Sequence, residues 1–358
     1  MKILLVSPSQ GHYGGMETSY IVLAAAVAQW PEFELRVCFK LVQGFPLRDD
    51  LRSAAAGLPC PVYFLPSGDP QLLKLIRWAD LVHGHNTSPD VIFPARWFNK
   101  KLILTIHNWR NRKFELHSLL WGLGARLAHR RWYNSHFVWD TWEPRGRSPS
   151  SACVHPVGLL PQNICPPADR KGFLFLARWI ENKGLEELIT AYARANLDTP
   201  EWPLTLLGNG PLRPKIEAMV SQFSLRNVII PGFVDYETKA KYFAAARWNV
   251  APPHTREDLG LTPIEARSVG VPSIVTRDGG LPEAAGDAAL VVEPGNIAEL
   301  TAALQRAAAM GEAEYLERSE RGRATLKEFL LPMEFYRTAY AELLASGAGR
   351  KPQLAPTT

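Results

Sequence analysis

The chain predicts an α/β protein built from doubly wound parallel sheets, and three observations carry that reading. Short continuous apolar runs alternate with longer amphipathic stretches almost from end to end, as strands buried on both faces alternate with covering helices. The alternation lapses near the middle, in Pro156-Val157-Gly158-Leu159-Leu160-Pro161 and through Pro166-Pro167-Ala168-Asp169. A length of 358 residues suits two domains or one large one, and the lapse favours two.

Taken in order, strands are expected at Lys2–Ser7, Glu34–Leu41, Pro61–Leu65, Asp80–His83, Lys101–His107 and Ala152–His155. Amphipathic helices fall between them at Met16–Trp30, Gln71–Trp78 and Phe114–His129. The second half repeats the scheme, with strands at Phe173–Leu176, Leu204–Leu207, Val228–Ile230, Trp248–Ala251, Ser273–Thr276 and Ala289–Val292. Asn296–Ala345 reads as successive helices with Asn296 as the first N-cap, and Gly347–Thr358 as a disordered tail. The halves show no repeat of roughly 20 to 50 residues, which excludes a solenoid.

Composition narrows the class further. The chain is 46% apolar and 21% charged, ordinary for a soluble globular protein. No apolar run approaches the roughly 18 residues that span a bilayer. Met1–Pro8 is too short for a signal-peptide core, lacks a small-residue cleavage site, and reads as a first buried strand. Cys38, Cys60, Cys153 and Cys165 lie far apart without a C-x-x-C, so neither a disulfide framework nor a cysteine zinc site is expected. A cytoplasmic location follows as an expectation. The net charge of +5 permits an anionic partner without naming one.

In an open parallel sheet, ligands bind beyond the carboxyl ends of the strands, so the residues after each strand matter most. The first strand runs through Gly11-His12-Tyr13-Gly14-Gly15-Met16-Glu17 straight into a helix. Glycines admit close approach of a ligand, and a helix N-terminus offers free N–H groups to an anion. The spacing is not G-x-G-x-x-G, and no acidic residue about 20 positions on closes a new strand, so a dinucleotide dehydrogenase is disfavoured. A flexible strand-to-helix turn is the plain alternative.

The second half is sharper. The strand Phe173–Leu176 runs into Ala177-Arg178-Trp179-Ile180-Glu181-Asn182-Lys183-Gly184, where Arg178 and Lys183 can reach one diphosphate. Singly, each also reads as a solvated surface cation. Gly208-Asn209-Gly210-Pro211 and Pro231-Gly232-Phe233-Val234 end the next two strands, each ordinary loop chemistry alone. Then Glu257 and Glu265 bracket seven residues, Asp258 to Ile264, with Gly260 and a helix start between them. Two readings stand for this pair. Thr262-Pro263-Ile264-Glu265 fits a capping box with Thr at N-cap and Glu at N3, and Glu257 fits a solvated loop carboxylate. Alternatively, the N–H groups of Gly260, Leu261 and Thr262 face a phosphate while the carboxylates take sugar hydroxyls.

Glu257-x7-Glu265 followed by Gly279-Gly280-Leu281-Pro282-Glu283 resembles the donor site of the family 4 (group 1) retaining glycosyltransferases of the GT-B fold. Other matches stand in the family's order: Gly14-Gly15-Met16-Glu17, Leu81-Val82-His83-Gly84-His85-Asn86, Thr105-Ile106-His107-Asn108, Arg178-x4-Lys183-Gly184, Gly208-Asn209-Gly210-Pro211 and Gly232-Phe233. The resemblance covers residues 1 to 345. It implies two Rossmann-like domains facing a cleft: an acceptor-side domain of 1–160 plus 333–346, and a nucleotide-sugar domain of 161–332, with Met333–Leu344 crossing back.

Residue by residue, the resemblance implies that Arg178 and Lys183 neutralise the departing diphosphate, Glu257 takes donor-sugar hydroxyls and Glu265 the ribose hydroxyls. Gly14, Gly15, Gly208, Gly210, Gly232, Phe233, Gly260, Leu261 and Thr262 complete the donor site, and His107 lies beside the transferred sugar. For a lone His at a strand end, packing is the alternative role. Glu257-Asp258-Leu259-Gly260 stands where the family often has Glu-Gly-Phe-Gly, and His155-Pro156-Val157-Gly158 where it often has Asn-Gly-Val.

There is no D-x-D, so cations must do a metal's work, and no metal or other cofactor is expected. The donor expected on family frequency is a UDP-sugar, with GDP and ADP as the other bases, and the acceptor a saccharide or lipid-linked saccharide of cell-surface polysaccharide or glycoconjugate synthesis. The rivals are a phosphorylase or epimerase, a catalytically silent sugar-nucleotide-binding partner, and a transferase for a soluble small-molecule acceptor.

Arg96–Arg147 holds eleven Lys or Arg against three acids, a segment charge of +8, with Trp97, Trp109, Trp121, Trp132, Trp139 and Trp142 interleaved. That pattern suits an anionic membrane surface and hence a peripheral protein. Core tryptophans and a solvated helix face are the alternative. No nucleic-acid-binding module accompanies the charge.

Overall fold

The computed structural model describes residues 1–86, 88–110, 116–156, 160–162 and 165–346, with side chains of the 116–126 helix from 119 onward. The expected tail at 347–358, and Arg112 and Lys113 of the basic segment, lie outside the described residues. The described parts of Met1–Leu159 and Leu330–Thr358 form one compact unit, and those of Leu160–Phe329 form another.

The first unit runs β1 (Lys2–Ser9), α1 (Gly15–Ala28), β2 (Glu34–Leu41), α2 (Asp49–Ala56), β3 (Val62–Pro66), α3 (Gln71–Trp78), β4 (Leu81–His85), α4 (Pro89–Trp97), β5 (Lys101–Ile106), α5 (Leu116–Arg126), β6 (Arg130–Tyr133), α6 (His136–Trp142) and β7 (Ser151–Cys153). Its sheet has the order β3-β2-β1-β4-β5-β6-β7, parallel throughout. The second unit runs β8 (Lys171–Leu176), α7 (Leu185–Ala195), β9 (Leu204–Leu207), α8 (Arg213–Gln222), β10 (Val228–Gly232), α9 (Tyr236–Ala245), β11 (Ala246–Ala251), α10 (Leu261–Ser268), β12 (Ser273–Thr276), α11 (Leu281–Ala285), β13 (Leu290–Val292), α12 (Ile297–Ala308) and α13 (Glu312–Phe329). Its order is β10-β9-β8-β11-β12-β13, again all parallel. The chain ends, as described, in α14 (Met333–Ala345), which belongs to the first unit.

Strand alternation explains why the sequence shows continuous rather than alternating apolar runs. Ile3 and Leu5 point to one face of the first sheet, where they join Val37, Phe39, Leu81 and Ile103 under α1, α2 and α14. Leu4 and Val6 point to the other, with Val82, Leu102 and Leu104 under α3 and α4. Both faces are buried, so apolar residues fill successive strand positions such as Ile3–Val6. In α14, Tyr336, Ala339, Tyr340 and Leu343 recur at helical spacing and complete the first of these cores.

In the second unit Phe173, Phe175, Leu204, Leu206, Trp248 and Val250 pack with α7 and α12, while Leu174 and Leu207 face Phe243, Ala266 and Val269. Arg267 of α10 is buried and spends its guanidinium on the carbonyls of Gly322 (3.1 Å) and Ala284 (2.9 Å) and on Thr325 Oγ1 (2.9 Å). These bonds fix α10 against α13 and α11.

One difference from expectation is informative. Arg130–Tyr133 is a strand, although its charged start hides it from an apolar scan. Arg131 is admitted to that strand because Glu143 (2.9 Å) and Ser151 (3.1 Å) accept from its Nε. Asn296 does cap α12, accepting from Glu299 N–H at 3.1 Å. Among the described residues no helix is long and apolar enough to cross a membrane.

Candidate functional site

In the second sheet the chain winds outward from β8 through β9 to β10, then returns to β11 on β8's other side. The loops leaving β8 and β11 therefore diverge from adjacent strand ends, the crevice where open sheets bind ligands. Arg178 and Lys183 follow β8; Glu257 follows β11. The fold brings the last two together, with Lys183 Nζ donating to Glu257 Oε2 at 2.5 Å. Arg178 is exposed in the same loop.

Close backbone contact makes that meeting possible. Gly184 has φ 71°, and a Cβ there would lie 1.8 Å from the Pro252 carbonyl oxygen, so only glycine lets the β8 loop rest on the β11 loop. His254 stitches the same pair, its N–H donating to Asn182 O (3.2 Å) and its Nε2 to Glu181 O (2.9 Å). Under Glu257, Gly279 has φ 56° and a Cβ there would lie 1.9 Å from the Glu257 carbonyl. Gly280 N–H donates to that carbonyl at 2.9 Å. Burial pushes the Asp278 carboxyl up, against backbone N–H groups of Arg256 and Glu257 that pull it down. Asp278 thus holds the Glu257 loop from below.

Gly260 is the N-cap of α10, with Leu261 at N1, Thr262 at N2 and Pro263, which has no N–H, at N3. This corrects the capping-box expectation. Thr262 lies inside the helix and cannot cap it, and Glu265 is not at N3. Glu265 Oε1 instead accepts from Lys239 Nζ of α9 at 2.7 Å. Burial raises the Glu265 carboxyl above its ordinary value, with Lys239 opposing the shift.

Gly208 and Gly210 follow β9, and Gly208 N–H donates to Gly232 O at 2.9 Å across to β10. Phe233 stands out from the surface, 85% exposed. Buried Trp179 ties the Arg178 loop to this turn, its Nε1 donating to Leu207 O (3.1 Å) and its N–H to Asn209 O (2.9 Å).

Gly14, Gly15 and His107 belong to the first unit. Gly14, in extended backbone, is the N-cap of α1 and Gly15 its first residue. The loop before them is locked by buried Glu17, which accepts from Ser9 Oγ at 3.0 Å, while Gly11 N–H donates to Ser9 Oγ at 3.1 Å. His107 follows β5 and is buried. Its N–H donates to Asn86 Oδ1 (2.7 Å) and its Nε2 lies 3.0 Å from His85 Nδ1. Behind them His83 bonds Tyr340 (2.7 Å) through Nδ1 and Thr105 (2.7 Å) through Nε2.

Residues 161–324 match the family described as glycosyl transferases group 1. This segment belongs to that family. The GDP-mannose-dependent alpha-(1-6)-phosphatidylinositol monomannoside mannosyltransferase of Mycolicibacterium smegmatis is 30% identical over 161 residues, covering 40% of this chain and 42% of that one. The D-rhamnosyltransferase WbpZ of Pseudomonas aeruginosa is 27% identical over 249 residues, covering 65% and 62%. The chain spans 29% to 62% of the length of the first curated relatives it matches. The Anabaena Alr3699/HepE structure in complex with UDP superimposes with a TM-score of 0.80 at 18% identity, covering 97% of this chain and 100% of that one. The fold is GT-B.

In this segment, Lys239 and Asp278 support the candidate site, through Glu265 and the Glu257 loop, and the motifs did not reveal them. Neither sits in a recognisable pattern; each reaches its carboxylate or loop from another element. His85 was legible only as part of the Leu81–Asn86 match, and its contact with His107 follows from the β4–β5 register, in which His85 pairs with Thr105.

The histidine cluster makes stability depend on acid. Burial lowers His83 to about 3 and His107 to about 4 from 6.5, and His85 well below it, so all three are neutral when folded. Unfolded, they take up protons below pH 6.5, so their contribution is complete above that pH and is lost as pH falls toward 4 and 3. Urea midpoints measured in steps from pH 7 to about 4 are expected to fall, and His107→Asn to fall less steeply. Equal slopes in both proteins contradict this account.

Proposed function

We propose that the protein is a retaining glycosyltransferase that moves a sugar from a nucleoside diphosphate donor to a saccharide or lipid-linked saccharide, without a metal at the reacting phosphate. The observation that carries this is the Lys183–Glu257 pair at the β8/β11 switch point, beside exposed Arg178 and the start of α10. A donor brings a diphosphate, which Arg178, Lys183 and the N–H groups of Gly260, Leu261 and Thr262 suit. Glu257, released by Lys183, accepts donor-sugar hydroxyls. Glu265, steadied by Lys239, accepts ribose hydroxyls. His107 is assigned to the transferred sugar. In the reaction the bond from the anomeric carbon to the phosphate oxygen breaks and one to the acceptor oxygen forms on the same face. The acceptor's proton passes to the leaving diphosphate, so no protein nucleophile is required.

Arg178→Ala and Lys183→Ala are each expected to lower kcat roughly a hundred- to a thousandfold, the worth of about 2.7 to 4 kcal/mol of charge stabilisation at a departing oxyanion. The melting temperature should hold, because a partly exposed ion pair contributes about 0 to 1 kcal/mol. Wild-type turnover in both variants rejects the assignment.

For the donor, the dependence of the mycolicibacterial relative on GDP-mannose supports GDP-mannose here. The UDP expected on family frequency has its own support in the Anabaena complex. Thermal-shift titration separates them, since specific ligand at about a hundred times its Kd adds about 2.7 kcal/mol. GDP-mannose is expected to raise the melting temperature more than UDP-glucose; the reverse order assigns a uridine donor.

The lipid-linked acceptor rests on the first unit's surface. Leu119, Leu120 and Leu123 of α5 are exposed, and Trp97, at the end of neighbouring α4, is 86% exposed. Exposed Arg126 and Arg145 supply cations. Other members of the basic segment serve the fold: Trp132 and Trp139 are core, Arg131 is buried with Glu143, and Arg130 pairs with Glu342. Apolar side chains with flanking cations suit an anionic bilayer surface. Co-sedimentation is expected with vesicles containing phosphatidylglycerol but not with phosphatidylcholine alone, weakening with salt and with Leu119→Glu/Leu123→Glu. Protein left in the supernatant at low salt favours a soluble acceptor.

A further inference from the structure

Beyond glycosyl transfer, the tips of β6 and β7 carry a cluster of metal-ligating side chains. Cys153 ends β7 and His155 follows two residues on; His136 opens α6 just after β6. One potential ligand atom from each of His136, Cys153 and His155 lies within 4.8 Å of the others. Cys153 Sγ is 3.4 Å from His155 Nε2, and the His136 and His155 rings are 6.2 Å apart. No C-x-x-C or H-x3-H spacing announces this group. Only the pairing of β6 with β7 assembles it.

The scaffold under the three side chains is rigid. Tyr133 pairs with Cys153 in the β6–β7 register, and Val154 N–H donates to Tyr133 O at 2.7 Å. Ser135 caps α6 through its Oγ, accepting from Val138 N–H at 3.1 Å, which fixes the helix turn that starts with His136. Trp139 stacks on His136 (6.2 Å, 21°) and on Tyr133 (5.8 Å, 15°). His155 is buried and Cys153 half-buried, whereas His136 is exposed, so an ion can enter from His136's side.

We propose that His136, Cys153 and His155 form a binding site for a divalent transition metal, zinc by its ligand set. One thiolate and two imidazoles are borderline-soft donors that favour zinc over magnesium or calcium, and a tetrahedral ion takes one further ligand beside these three. Binding converts the Cys153 thiol to thiolate with release of its proton to solvent, so affinity falls as pH is lowered. The ion clamps the end of β7 to the start of α6. Its three ligands belong to the first unit, and Arg178, Lys183, Glu257 and Glu265 to the second.

The test uses the full chain, stripped with EDTA and titrated with cobalt as a spectroscopic probe. The expected result is one cobalt per chain, a near-ultraviolet thiolate-to-cobalt band, and displacement by zinc. Cys153→Ser should abolish the band, and His136→Ala, a change at an exposed side chain, should weaken binding at least tenfold. Zinc should raise the melting temperature of the wild type but not of Cys153→Ser. No thiolate band, a band that survives Cys153→Ser, or unchanged affinity in His136→Ala overturns the proposal. None of these readouts depends on turnover, so they stand whether or not the glycosyltransferase reading holds.

Discussion

A parallel sheet is covered on both faces, because its crossovers lay helices there and its strands turn apolar side chains to both sides. Most of this structure follows from that demand. In the first unit the demand is met only by borrowing: α14 arrives from the far end of the chain to lie over β1, β4 and β6 side chains. Its Tyr340 both fills the core and bonds His83, a polar group buried within the sheet. Without that hydroxyl His83 Nδ1 would be left unsatisfied, which typically costs about 1 to 3 kcal/mol. The first unit is therefore not a continuous stretch of sequence.

The same constraint puts the chemistry where it is. Parallel strands all present their carboxyl ends on one edge, and reversal of the winding direction opens a crevice between two of them. The second unit places Arg178 and Lys183 on one side of its reversal and Glu257 on the other. Tight glycine contacts at Gly184 and Gly279 then draw backbone to backbone, because any side chain there would hold the loops apart. Arg267, buried on α10, does the complementary work by tying the helix to α13 with two hydrogen bonds and to α11 with a third.

This division explains what could be read in the sequence. Both doubly wound sheets were legible because buried parallel strands leave an unbroken apolar signature, and Glu34–Leu41, Leu204–Leu207 and Ser273–Thr276 coincide with strands residue for residue. Arg130–Tyr133 escaped because its buried arginine is neutralised by Glu143, a partner that no local pattern announces. Thr262–Glu265 misled for a related reason. Its spacing fits a capping box, but Gly260 already caps the helix two residues earlier than the motif requires, and Lys239 claims the carboxylate. Local motifs are reliable where local bonds decide. Where a distant cation decides, they are not.

The two carboxylates of the donor-site motif differ in a way that separates their roles. The Lys183–Glu257 pair joins two loops, with both side chains a fifth to a quarter exposed (20% and 26%), so water can replace either partner. Such a pair contributes about 0 to 1 kcal/mol and is easily exchanged when a diphosphate competes for the lysine. Glu265 is more deeply set, at 13%, against a lysine on a neighbouring helix. Burial raises its carboxyl while Lys239 opposes the shift, so this pair has less access to water than Lys183–Glu257. On the proposed reading, Glu257 is the carboxylate that changes partners and Glu265 the one held in place. A mobile acceptor suits the group being transferred, whose hydroxyls move; a fixed one suits the part of the donor that stays behind.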